Sequence, residues 1–179
     1  MVLRKRSRVV NMSDFSSKTS EIVIRPEEPS YFMIREFHYD HSSVNPIADF
    51  MKTPFFCWQE EYHHEVGVTV NHQKQIVDWN FHGLYDIKKL RPEHFEKISP
   101  IEFVERFKSL IMAEIGFDPQ LSEIESRLNK LVDLKSEFYI IKELTDEFYH
   151  DWTVFHFFLS GFKVASEGNM LITIEFGLD

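Results

Sequence analysis

The stretch Ser99-Pro100-Ile101-Glu102-Phe103-Val104-Glu105-Arg106-Phe107 decides the fold class. Serine caps helix N-termini, proline suits the first helical position, and a glutamate three residues after the cap completes a capping box. Ile101, Val104, Phe107 and Ile111 then recur at helical spacing, so one face is apolar. Gly116 supplies the stop. Asp118-Pro119 repeats the cap-and-proline signal, and Leu121, Ile124, Leu128 and Leu131 step by three and four. Leu134, Phe138, Ile141, Leu144 and Phe148 continue the stepping after a slip of phase near Asp133. The spacing therefore predicts a further pair of helices, or one kinked helix, with charged residues on the outer face.

Strand signals lie on both sides of this helical centre. On the N-terminal side, residues 21–24 and 31–39 are β-branched or aromatic with partial alternation. Asn45-Pro46 predicts a short helix to about Lys52, stopped by Thr53-Pro54. Residues 65–71 place Val66, Val68 and Val70 on one face, and with residues 75–81 they form the best hairpin candidate. On the C-terminal side, residues 153–160 and 162–165 read as two short strands. Ser166-Glu167-Gly168-Asn169 reads as a turn, followed by an alternating strand over 170–176. Strands, then helices, then strands is the order of an α+β fold: an antiparallel sheet of N- and C-terminal strands packed against two or three central amphipathic helices.

The chain has 179 residues, 43% hydrophobic and 27% charged, which suits one folded domain. Residues 1–20 are basic and then rich in Ser and Thr, and read as a disordered or loosely attached tail before a single domain over 21–179. Phenylalanine occurs 18 times against 6 glycines, enough aromatic area for some to line a partner surface as well as the core. The lone Cys57 makes no internal disulfide, so no oxidising compartment is implied. The basic start lacks the apolar stretch of a secretory signal, and no apolar run approaches the roughly 20 residues that span a bilayer. The expectation is a cytoplasmic protein, with its start at Met1 or Met12.

Charge is the strongest functional cue. Lys and Arg number 20, Asp and Glu 29, for a net charge of -9. Residues 1–11 hold four basic and no acidic residues, so the remainder carries 16 against 29, or -13. Such a body repels nucleic acid and anionic membranes and attracts basic proteins. Two runs mix acids with large aromatics: Trp58, Glu60, Glu61 and Tyr62, and then Asp146, Glu147, Tyr149, Asp151 and Trp152. Trp and Tyr are favoured as interface anchors, and rim acids steer basic partners. The competing reading is plain amphipathicity, with the aromatics in the core and the acids outside.

Catalytic and cofactor signals are weak. The sequence has no Gly-x-Ser-x-Gly, no glycine-rich phosphate loop, no paired-cysteine motif and no His-Glu-x-x-His. Nine histidines, including His38, His41, His63, His64 and His72, show no diagnostic ligand spacing, so neither metal nor cofactor is expected. Cys57 lies in an apolar Phe-Phe-Cys-Trp setting that would leave its thiol protonated and inert. The best carboxylate–histidine candidate is Asp78, Asn80, His82 and Asp86, which also reads as a turn around Gly83. The leading expectation is an acidic binding or inhibitor protein, specifically an immunity protein that neutralises a basic nuclease toxin by covering its active or substrate-binding surface. The alternatives are a small hydrolase at Asp78–Asp86 and a structural subunit of a larger assembly.

Overall fold

In a computed structural model, the structure describes residues 15–24, 30–39, 43–56, 81–116, 119–149 and 156–178. The expected hairpin over 65–81 lies outside these residues except for Phe81. The fold is α+β. Strands β1 (Phe15–Ile24), β2 (Ser30–Tyr39), β5 (Phe95–Ile98), β6 (Glu137–Ile141), β7 (Phe157–Val164) and β8 (Met170–Leu178) form one antiparallel sheet in the order β1-β2-β8-β7-β6-β5. A small second ladder joins β3 (Phe81–His82) to β4 (Tyr85–Asp86).

Beside the strands and short 3₁₀ turns, the described residues form three α-helices: α1 (Pro46–Phe50), α2 (Pro100–Ile115) and α3 (Leu121–Leu131). Local chemistry fixes their ends. The Asn45 side chain accepts from Ala48 N at 3.0 Å, and Ser99 Oγ accepts from Glu102 N at 3.2 Å. Glu102 does not close the box; its carboxylate reaches Arg106 one turn on, at 3.4 Å. Gly116 ends α2 at φ 68°, a left-handed conformation that glycine adopts freely. The buried stripe of α2 runs through Phe103, Phe107 and Ile111 with Val104 beside it. That phase turns Ile101, expected in the core, out to solvent.

The sheet is covered on both faces. On one, Phe103 of α2 lies 5.2 Å from Phe138 and directly over Gly161, where an added Cβ would sit 2.6 Å from the Phe103 ring. Because that glycine makes room for the ring instead of breaking the strand, β7 runs unbroken where two short strands were expected. Lys163, on the same face, bonds the Leu131 carbonyl at 2.7 Å and so satisfies the C-terminal end of α3. On the other face, Phe50 of α1 packs on Phe37 at 4.8 Å and Phe162 at 6.0 Å. Among the described residues nine phenylalanines are fully buried, so much of the aromatic surplus of the sequence goes into this two-sided core.

Two further expectations change. The helical stepping expected from Leu134 to Phe148 is not a helix: residues 137–141 are strand β6, with Phe138 and Ile140 on the α2 face and Tyr139 and Ile141 on the other. Asp133 makes the break, accepting from Lys135 N at 2.9 Å and from Ser136 Oγ at 2.8 Å. Phe-Tyr-Ile-Ile then suits a pleated strand better than a helix. The first strand is also longer than expected, starting at Phe15 rather than Glu21, and its register with β2 shifts between Ser17 and Glu21. The turn before β8 is as expected, with Gly168 and Asn169 both at positive φ.

Candidate functional site

The second acid–aromatic run supplies the clearest surface feature. Asp146–Phe148 is a single 3₁₀ turn, closed by Phe148 N to Thr145 O at 2.9 Å and Tyr149 N to Asp146 O at 3.0 Å. Its aromatics face inward. The Phe148 ring meets the edge of His94 at 4.8 Å, and Tyr149 meets Tyr85 at 5.7 Å. A backbone bridge pairs Tyr149 with Tyr85 of β4, and Lys89 Nζ bonds the Glu147 carbonyl at 2.7 Å. Burial, followed by the neighbouring Tyr149 and Glu143, pushes the Tyr85 hydroxyl up to about 12, so it stays protonated.

The acids of the run face outward. Asp146 and Glu147 are exposed, as is Glu143 just before them, and none enters an ion pair among the described residues. Glu147 Oε1 accepts from the Thr145 hydroxyl at 3.1 Å. The turn is therefore held by contacts on its inner side, while its carboxylates meet no cation among the described residues. Of the other expected contact residues, Trp58, Glu60, Glu61, Tyr62, Asp151 and Trp152 lie outside the described residues.

The carboxylate–histidine candidate comes apart in the structure. His82 and Asp86 occupy opposite faces of the β3–β4 ladder, since His82 pairs with Tyr85 and Phe81 with Asp86. Asp86 closes the following turn, accepting from Lys88 N at 2.9 Å and lying 3.9 Å from Lys89 Nζ. Gly83 holds the tip of the ladder at φ 57°. Asp78 and Asn80 lie outside the described residues.

His82 is fully buried between Phe56, stacked at 4.0 Å, and Phe158, edge-on at 5.0 Å. Its Nδ1 lies 2.8 Å from the Phe56 carbonyl and its Nε2 lies 2.8 Å from Ser160 Oγ. A carbonyl only accepts, so Nδ1 carries the proton and Nε2 accepts from the Ser160 hydroxyl. Burial is the main cause that lowers the imidazole pKa to about 4, and nearby Glu175 and the Phe56 carbonyl pull it back only in part.

This histidine ends a buried polar strip that sequence reading missed. Ser160 lies opposite Glu175 across β7 and β8, and Glu175 pairs with Arg35 of β2 at 3.0 Å. The signal was present as Thr173 and Glu175 alternating with Ile172, Ile174 and Phe176. Alternation alone, however, does not show that the polar side of β8 is covered too. The remaining described histidines are singly engaged or exposed: His38 Nδ1 lies 3.3 Å from Gly168 O, His94 Nδ1 accepts from Arg91 N at 3.0 Å, and His156 is exposed. Among the described residues no three His, Cys, Asp or Glu side chains gather as metal ligands, and no helix is long and apolar enough to cross a membrane.

The chain matches no protein-family model, no curated protein and no solved structure.

Proposed function

We propose that this protein works by binding a basic protein partner, with the turn at residues 146–149 as part of the contact surface. The specific reading is an immunity-type inhibitor that covers the active or substrate-binding surface of a basic nuclease toxin. One observation carries it: two carboxylates, Asp146 and Glu147, stand exposed and without an ion pair among the described residues, on a turn fixed from behind by Phe148, Tyr149 and Lys89. A turn already held in one conformation loses little entropy on binding, and unpaired acids attract a cationic surface from a distance. The net charge of -9 adds a long-range field of the same sign.

Affinity capture from the source cells at low and high salt tests the reading. The expected result is a single basic partner, lost at high salt, whose nuclease activity the bound protein suppresses. No basic partner at either salt would overturn it.

A further inference from the structure

A pocket of about 390 Å³ lies between the start of α1, the turn before β5 and the ends of β6 and β7. The sheet contributes Glu137, Tyr139 and Val164. They share one face, since Glu137 lies opposite Val164 and Tyr139 follows two residues on. The opposite side comes from Pro46 at the first position of α1 and from Pro92 and Glu93 in the 3₁₀ turn before β5. Proline fixes its own φ, so these walls are set before anything binds.

The charged residues lining this pocket are both glutamates. Glu137 is already answered, by Lys97 on Oε1 and by the Tyr139 hydroxyl, which donates to Oε2 at 2.8 Å. Glu93 is exposed, and its carboxylate enters no ion pair among the described residues. The turn at 92–94 also links the pocket to the candidate site: Glu93 lines the pocket, while His94 of the same turn packs on Phe148. Pocket and acidic turn thus flank one short segment.

Walls part apolar and part polar, a tyrosine ring and a carboxylate with no ion pair among the described residues suit a long side chain with an apolar stem and a cationic head. We infer that this pocket receives an arginine or lysine side chain of the basic partner, its stem along Val164 and the two prolines and its charge at Glu93 and the Tyr139 ring. The inference rests on the binding role proposed above and assigns that role an anchor point. Interface energy concentrates in such side-chain pockets, and exposed rim charges act mainly on association rate.

The test is a ¹⁵N NMR titration of the full chain with N-acetyl-arginine amide, with N-acetyl-glutamine amide as the uncharged control. Saturable shifts at the Glu93, Tyr139 and Val164 amides with the arginine compound alone are expected, weakened about fivefold in Glu93→Gln. The absence of such shifts, or equal shifts in Glu93→Gln, overturns the inference. A Val164→Trp variant, which fills the pocket, separates the two ideas. If it captures the basic partner as well as the wild type does, the pocket assignment fails and the binding role stands. If no basic partner is captured at all, the binding role fails and the pocket assignment with it.

Discussion

Ser160 donates its hydroxyl hydrogen to His82 Nε2 at 2.8 Å because the other ring nitrogen of His82 is committed to the Phe56 carbonyl. This bond ties β7 to the β3–β4 ladder and holds His82 neutral in the core. Its folded pKa, about 4, lies below the ordinary 6.5. Protonation therefore favours the unfolded chain. The contribution is complete above pH 6.5 and fades as pH falls towards 4, a loss of order 3 kcal/mol. Urea midpoints measured between pH 7 and 4.5 should fall more steeply for the wild type than for His82→Gln. Parallel slopes would show that His82 does not govern the acid response.

Gly83→Ala should be strongly destabilising. The position has φ 57°, and an added Cβ would lie 2.1 Å from the Phe158 ring. Left-handed strain and overpacking together cost about 3 kcal/mol. A thermal melt of the variant should show Tm lowered by roughly 6–12 °C for a domain of this size. An unchanged Tm would mean that Phe158 does not press on the tip of the ladder.

Arg35→Met should cost about 3–5 kcal/mol, because it leaves the fully buried Glu175 without the guanidinium 3.0 Å away. The double variant Arg35→Met/Glu175→Leu should recover most of that loss, since two apolar side chains remove the buried charge altogether. Denaturant midpoints around the double-mutant cycle measure the coupling. Additive losses would show that the two side chains act independently.

Asp146→Asn/Glu147→Gln should leave stability within about 0.5 kcal/mol of the wild type, because neither carboxylate is buried or ion-paired among the described residues. Association with a basic partner should slow and lose salt dependence. Stopped-flow association at two ionic strengths separates the effects. An unchanged rate would remove this turn from the contact surface.

Much of the architecture was legible where a local pattern has one reading. Ser99-Pro100 and Gly116 bracket α2, and the period-two alternation at 170–176 marks β8. Residues 134–148 were not legible, because Phe138 and Ile141 satisfy a helical step while the run Phe138-Tyr139-Ile140-Ile141, apolar on both sides of a strand, shows no alternation. What decides between them is the pair of bonds accepted by the Asp133 carboxylate. The acidic turn could be named from sequence as an acid–aromatic run, but its anchors, Tyr85 and His94, lie far away along the chain. His82 was hardest to read. Its hydrogen-bond partners are 26 and 78 residues distant, and only the assembled sheet makes a turn-like Phe-His-Gly segment part of the core.

The place of β8 in the sheet has a consequence for how the molecule comes into being. One wing, β1–β2, is made early; the other, β5–β6–β7, much later; and β8 pairs with both β2 and β7. Until residues 170–178 have been synthesised, the two wings are separate hairpin assemblies with no shared ladder. Bringing β2 to β8 closes a loop of more than a hundred residues, as in Arg35 meeting Glu175 across 140 positions. Folding should therefore be slow and late, governed by the arrival of one keystone segment, and a nascent chain lacking it offers the strand edges that chaperones cover.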